Sequence, residues 1–288
     1  MTFPPGANVA VRKTITREHI VAAERIERAD RRDAFHAATP EIAEEFGMRI
    51  ESVGGADLLM MTRADVSMFN RIAGIGVEMP ATEGQLNEAL RRFRDAHVAR
   101  FFVDVSPASR PIALTDWITS RGLAIENNWV KLTREVEPVP TARTSARIEE
   151  IGREHALEFG KIVQQVFELP ERLSAWADSM VGRPRRRHFM AFDGDKPIAT
   201  ASIYIEKEWA SFGYAAVIPQ ARGRGVQAAL IAARIKAARE SGCKWLSIDA
   251  NEETLEKPSY SLRNAKKMGF EVAYMRPNYL GTSPRTTA

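Results

Sequence analysis

The stretch PQARGRGVQAAL, Pro219 to Leu230, decides how the chain is read. Two glycines lie two residues apart among basic side chains, directly before an Ala/Leu/Ile run. A glycine inside a helix or strand costs about 1 kcal/mol relative to alanine, so the pair predicts a break between elements. Ala215–Ile218 before it reads as the end of a strand, and Val226–Ala238 after it has helical spacing. The glycines thus fall at a strand-to-helix turn. A helix N-terminus carries backbone N–H groups with no intrahelical partner, plus the positive end of the helix dipole. Glycines just ahead of it let a phosphate reach the backbone with no Cβ in the way. Arg222 and Arg224 add positive charge. A tight turn that needs only positive φ is the plainer reading of the same residues, so the surroundings must separate the two.

Working outward, the clearest boundary is Glu135–Ala146, EVEPVPTARTSA, a proline-containing linker of small polar residues. It divides the chain into 1–135, 136–146 and 147–288. In the last segment the patterns predict strand, two helices, three strands with hairpin turns, the glycine turn, a long helix closed by Gly242, a strand at Lys244–Ala250, a helix at Ser259–Met268 and a strand from Phe270. Hairpins first and βα crossovers later predict a mixed α/β sheet. The first segment ends in the same order: helix Glu83–Ala96, strand Arg100–Val105, helix Ile112–Ser120, then Arg121-Gly122 and a strand. This reads as a diverged internal repeat. The counterpart of the glycine turn in the first copy, Ile72–Ala81, keeps Gly74 and Gly76 but follows them with Glu78, Met79 and Pro80. An acidic side chain there opposes phosphate binding.

With strand, turn, long helix, strand, helix and Gly-Phe in this order, the residues are specific. Gln220-Ala221-Arg222-Gly223-Arg224-Gly225 resembles the Q/R-x-x-G-x-G/A motif of the GNAT N-acetyltransferase superfamily, and Asn264–Phe270 resembles its later helix with the Gly-Phe signature. The whole chain resembles tandem GNAT proteins with a degenerate N-terminal copy. The resemblance implies an α/β fold of two tandem GNAT-like domains, each a mixed, mostly antiparallel sheet flanked by helices, with a splayed strand pair. It implies acetyl-CoA as co-substrate, the pyrophosphate on the backbone of Arg222, Gly223, Arg224, Gly225 and Val226 after Gln220, the pantetheine arm along Ala216, Val217 and Ile218, and Asn264 and Asn251 as further contacts. Many members place a tyrosine four residues before the Gly-Phe glycine as the acid for the departing thiol; here that position is Ala265. Tyr260 is the substitute candidate and Asp249, near the end of a splayed strand, the candidate base, each with a plain structural reading beside it. Tyr214 either lines the substrate side or packs.

Composition narrows the rest. The chain has 288 residues, 44% of them hydrophobic, and no apolar run near the roughly 18 residues of a membrane span. MTFPPGANVAVRKT lacks the apolar centre of a signal peptide, and the expected location is cytoplasmic. The single cysteine, Cys243, and the scattered histidines give no metal-ligand spacing, so no metal is expected. A net charge of +4 with pI 9.3 is mild, and no nucleic-acid partner is expected. The one dense cluster, Arg183–His188, reads as a solvated loop, with an anion site as the alternative. The expected partner is a small-molecule amine acceptor, the expected assembly a monomer or homodimer. An inactive acyl-CoA-binding sensor or interaction module is the competing function, motivated by Ala265.

Overall fold

Three threonines start helices by accepting a backbone N–H from inside the first turn: Thr16 from His19, Thr39 from Ile42, and Thr82 from Gln85, the last as a reciprocal capping box. They open α1 (Arg17–Phe35), α2 (Pro40–Phe46) and α3 (Glu83–Asp95). The computed structural model describes residues 15–283. Its first half also contains β1 (Met48–Val53), β2 (Ala56–Met61), β3 (Arg71–Ala73), β4 (Arg100–Asp104), α4 (Leu114–Thr119) and β5 (Ala124–Glu135). The second half contains β6 (Arg147–Ile151), α5 (Ala156–Val166), α6 (Ser174–Met180), β7 (Arg186–Asp193), β8 (Lys196–Glu206), β9 (Trp209–Val217), α7 (Val226–Glu240), β10 (Trp245–Asn251), α8 (Tyr260–Lys267) and β11 (Glu271–Thr282). Among the described residues no helix is long and apolar enough to cross a membrane.

The strands form one 11-stranded sheet in the order β1-β2-β3-β4-β11-β5-β10-β9-β8-β7-β6. Only β3/β4 and β9/β10 run parallel; every other neighbouring pair is antiparallel. The orders β3-α3-β4-α4-β5 and β9-α7-β10-α8-β11 match element for element, each starting from a parallel pair. The two halves then exchange strands. β11 lies between β4 and β5, and β5 lies between β11 and β10. The last strand of each half therefore completes its sheet only by pairing with the other.

α1 fastens this exchange from one face. It packs on β8, β9 and β10 as well as on β1 and β2. Glu24 and Glu27, three residues apart, share one side of it and are buried. Arg276 of β11 meets Glu24 at 3.0 Å and Glu27 at 2.5 Å, and Lys131 of β5 meets Glu27 at 2.5 Å. One carboxylate thus holds both exchanged strands.

The Arg183–His188 cluster is a solvated turn only at Pro184 and Arg185; the other arginines are taken up by the protein's own carboxylates. Arg186 is buried and pairs with Asp30 and Asp33 of α1, each at 2.5 Å, while Arg183 forks onto Asp33 and Arg187 onto Glu150. The counter-charges of Arg183 and Arg186 lie about 150 positions away along the chain, and that of Arg187 lies 37 away, which is why local charge density misled. The cluster also orients the layers: Arg186 reaches α1, while its neighbour Arg187 donates to the carbonyl of Ala237 on α7. Alternation along a strand therefore puts α1 and α7 on opposite faces of the sheet.

Burial raises Glu27, but Arg276, Arg31 and Lys131 outweigh it and hold the carboxyl well below its usual 4.5. Its stabilising contribution is complete above that value and is lost as pH falls through the lowered one. Glu27→Gln leaves Lys131 and Arg276 buried without their counter-charge and is expected to lower unfolding free energy by about 3–5 kcal/mol at pH 7. Urea denaturation of the two proteins measures this; a difference under 1 kcal/mol would show that the exchanged strands hold without the pair.

Candidate functional site

The parallel ladder between β9 and β10 runs from Trp209/Trp245 to Phe212/Ile248 and stops. β9 continues to Val217 and β10 to Asn251 with a gap between them. A β-bulge supplies the cause. Thr200 pairs with Ala216 and Ser202 with Gly213, so Tyr214 and Ala215 together face the single residue Ala201. Tyr214 takes φ +49°, a left-handed conformation rare outside glycine. Such a bulge bends the strand and increases its twist. Hydroxyls on β8 fix it: Thr200 donates to the Tyr214 carbonyl and Ser202 to that of Gly213, both at 3.3 Å. Sequence reading missed the bulge, although a glycine inside a strand, Gly213, is a recognised signal for one.

The gap opens into a cavity of about 290 Å³. From the sheet it is lined by Phe212, Tyr214, Asp249 and Asn251; from α7 and α8 by Gln227, Arg234 and Ser261; from the first half by Glu27, Asp30, Arg31 and Trp129, among others. The residues from the first half escaped sequence reading because nothing local ties α1 to β9.

At the mouth of the gap stands the glycine turn. Gly223 has φ +77° and Gly225 φ +75°. Gly225 is the N-cap of α7, and no side chain caps that helix, so its first N–H groups remain open. The two glycines differ in purpose. A Cβ on Gly225 would collide with the carbonyl oxygen of Arg143, whereas one on Gly223 would meet nothing within 4 Å. Gly225 permits close packing and Gly223 leaves an open approach. The matching turn of the first half is closed by its own chain. A Cβ on Gly74 would lie 2.6 Å from the Arg28 side chain, and one on Gly76 2.5 Å from the Arg110 carbonyl oxygen.

The predicted cofactor residues divide. Ala216 and Val217 end β9 beyond its last rung with β10, Ile218 follows the strand, and Val226 is buried behind the turn; none of the four lines the cavity. Gln220 and Arg222 are exposed, and the Arg222 N–H already donates to the Pro219 carbonyl. Arg224 is engaged by Asp193 at 2.7 Å and Ser145 at 3.3 Å, so its charge is partly neutralised. Asn264 donates to Gln227 at 2.6 Å and thereby orients a cavity residue, while Asn251 lines the cavity directly.

The predicted catalytic residues also divide. Asp249 lies one residue beyond the last β9/β10 rung, 2.8 Å from Lys131 and 3.9 Å from Arg276. Burial and the nearby Glu27 push it up to about 6 against the pull of those two cations. Tyr260 is 69% exposed, lies outside the cavity lining and sits beside Arg263. The next residue, Ser261, is the one that faces the cavity, and Ala265 one turn later is fully buried. Helical phase, not residue type, decides which of Tyr260 and Ser261 faces inward. Tyr214 lines the cavity, and burial holds its phenol well above its ordinary value.

Residues 149–270 match the acetyltransferase (GNAT) family model. No curated protein matches the chain. Among solved structures the chain is similar to a GCN5-related N-acetyltransferase from Kribbella flavida, with 17% identity and a TM-score of 0.64 over 91% of this chain and 96% of that one. It is similar to a tandem GNAT protein from the clavulanic acid biosynthesis pathway, with 14% identity and a TM-score of 0.52 over 70% and 69% of the two chains. A GCN5-related N-acetyltransferase from Sphaerobacter thermophilus gives 14% identity and a TM-score of 0.55 over 70% and 68%. At these identities the likeness is one of fold.

The contrast between the glycines is measurable. Gly223→Ala is expected to cost about 1–2 kcal/mol, the strain of a left-handed residue with free space around it. Gly225→Ala is expected to cost clearly more, because the new methyl group meets backbone. Chemical denaturation of both variants checks this, and equal costs would remove the distinction.

Proposed function

We propose, on the match of residues 149–270 to the GNAT acetyltransferase family model, that the chain transfers an acetyl group from acetyl-CoA to a primary amine of a small molecule. One observation carries the reading: a strand gap opens beside an uncapped helix N-terminus whose approach, at Gly223, is free of side chain. These residues fit the co-substrate. The amides from Gly223 to Val226 suit the pyrophosphate. The unpaired edge of Ala216–Ile218 suits the amides of the pantetheine arm, with Asn251 beside it and Asn264 holding Gln227. Bound there, the thioester supplies an activated acyl carbon for attack by an amine nitrogen.

The protein's own groups then have separate tasks. An amine reaches the site protonated, so a base must take its proton before attack. Asp249 fits this task, since it faces the cavity and is held at about 6. It is charged at neutral pH yet close enough to it to release the proton again. The bulge at Tyr214 turns backbone polar groups out of the ladder beside the gap, where an N–H can polarise a carbonyl oxygen. Ser261 offers a hydroxyl to the departing sulfur, a role its exposed neighbour Tyr260 does not fill from outside the cavity. A small acceptor suits a cavity of about 290 Å³.

Calorimetry is expected to give saturable acetyl-CoA binding that is lost in Gly223→Asp, a change that places a carboxylate in open space at the phosphate approach. No binding by the unaltered protein would end the proposal. Binding without turnover across a broad amine panel would favour a sensor instead.

The pH profile tests the base. kcat/KM is expected to rise through about pH 6 as Asp249 loses its proton. Asp249→Asn is expected to abolish that limb and lower the rate by about 10²–10⁴-fold. A limb that survives in the variant belongs to another group.

A further inference from the structure

Arg234 lies on the inner side of α7 and is completely buried. Its Nε donates to the Leu230 carbonyl at 3.1 Å and its Nη1 to the Ser202 carbonyl at 3.3 Å. The guanidinium sits over the Phe212 ring, 4.4 Å from its centre. Nη2 is buried without a hydrogen-bond partner. Among the described residues no carboxylate pairs with Arg234, and burial alone pulls it down to about 9.

The other fully buried arginines show that this fold pairs such a charge with a carboxylate, even where one nitrogen lacks a hydrogen bond, as Nη1 of Arg186 and Nε of Arg276 do. Arg71 has Asp104, Arg186 has Asp30 and Arg276 has Glu27, each at 2.5 Å. An unpaired buried cation is costly enough that stability alone does not account for it. Arg234 also lines the cavity, at its closed end, because Phe212 belongs to the last β9/β10 rung. A cation with one free nitrogen thus faces the closed end of the gap.

Resting on the acyltransferase reading above, we propose that Arg234 is a carboxylate site for the acyl donor, taking the far carboxylate of a dicarboxylic acyl thioester such as malonyl- or succinyl-CoA. The surroundings favour donor over acceptor. Arg234, Gln227 and Ser261 enter the cavity from α7 and α8, the helices next to the phosphate turn. The wall from α1 and β10 carries Glu27, Asp30 and Asp249 together with Arg31, and there each charge already has a partner, so the cation left for a carboxylate is Arg234 on the α7 side. The two Nη2 hydrogens can donate to carboxylate oxygens, and such charge-assisted bonds are among the stronger ones. The transfer itself is unchanged. The amine nitrogen bonds to the thioester carbon, the carbon–sulfur bond breaks, the sulfur leaves as thiol with the proton given up by the amine, and the far carboxylate keeps its charge throughout.

Calorimetric binding of acetyl-, butyryl- and succinyl-CoA tests the site. Butyryl and succinyl chains have the same length and differ in the terminal charge. The protein is expected to bind succinyl-CoA about tenfold or more tighter than butyryl-CoA. In Arg234→Met that ratio is expected to collapse to about one, while Arg234→Lys keeps part of it. Thermal melting supplies the control: a long apolar side chain replacing an unpaired buried charge is expected to melt at the same temperature or higher, whereas a purely structural arginine would leave the variant less stable. Equal affinities in the unaltered protein overturn the proposal, as does a preference that survives in Arg234→Met. Acetyl-CoA binding without a succinyl preference defeats this inference alone, and failure of all three thioesters to bind defeats the acyltransferase reading with it. Free succinate and β-alanine titrated into acetyl-CoA-loaded protein form the last arm. Uptake that needs Arg234 there would move the carboxylate to the acceptor and overturn the donor assignment.

Discussion

The carboxylate of Glu27 is where the two halves of the molecule meet. It sits on α1, yet its partners Lys131 and Arg276 come from β5 and β11, the strands that each half contributes to the other. Backbone pairing alone would let these strands slide, since a ladder is indifferent to register until side chains choose one. A buried charge with a single set of buried partners makes every other register expensive. Register in the centre of the sheet then fixes α1 over β9, and α1 over β9 forms one wall of the cavity. The site of the second half is thus partly built from the first.

The charges around the cavity follow a common logic. Asp104 holds Arg71, Asp30 and Asp33 hold Arg186, and Glu24 and Glu27 hold Arg276. Trp129 lies against Arg71 at 4.2 Å and Arg31 at 5.3 Å, so the aromatic face adds to the cations' environment. Compensated this way, the arginines stiffen the wall without offering free charge. Arg234 differs, since among the described residues no carboxylate pairs with it and its Nη2 is buried without a hydrogen bond. A buried cation with no counter-charge is costly, and this one belongs to a residue lining the cavity.

What could be read from the sequence was local. The glycine turn, its flanking strand and helix and the Gly-Phe signature lie within a few dozen residues, and their periodicities and breaks follow from chain stereochemistry alone. The order of elements, with its match between the two halves, was legible for the same reason. Pairing across the chain was not. Strand exchange between β5 and β11 leaves no local trace, because each strand reads the same whichever neighbour it joins. The arginines of Arg183–His188 looked solvated because Asp30 and Asp33 were too distant to consider together. Tyr260 was named without its neighbour Ser261: two adjacent residues point about 100° apart on a helix, and only packing shows which one faces inward.

The two glycine turns, one in each half, are put to different uses. Both copies kept a glycine pair with positive φ at the end of a strand in a parallel pair. In the first copy the space over the turn is occupied by Arg28 and by the backbone of Arg110, and Arg17 donates to the Val77 carbonyl beside it. Those bonds anchor α1, the helix that carries Glu27, Asp30 and Arg31 to the cavity of the second copy. A turn that held a phosphate would have to give up these contacts, and α1 would lose its fastening at that end. Ligand binding at the first turn and wall-building at the second site therefore compete for the same space. The first copy's glycines remain because the backbone still makes the bend, and its chain fills the place that stays open at Gly223.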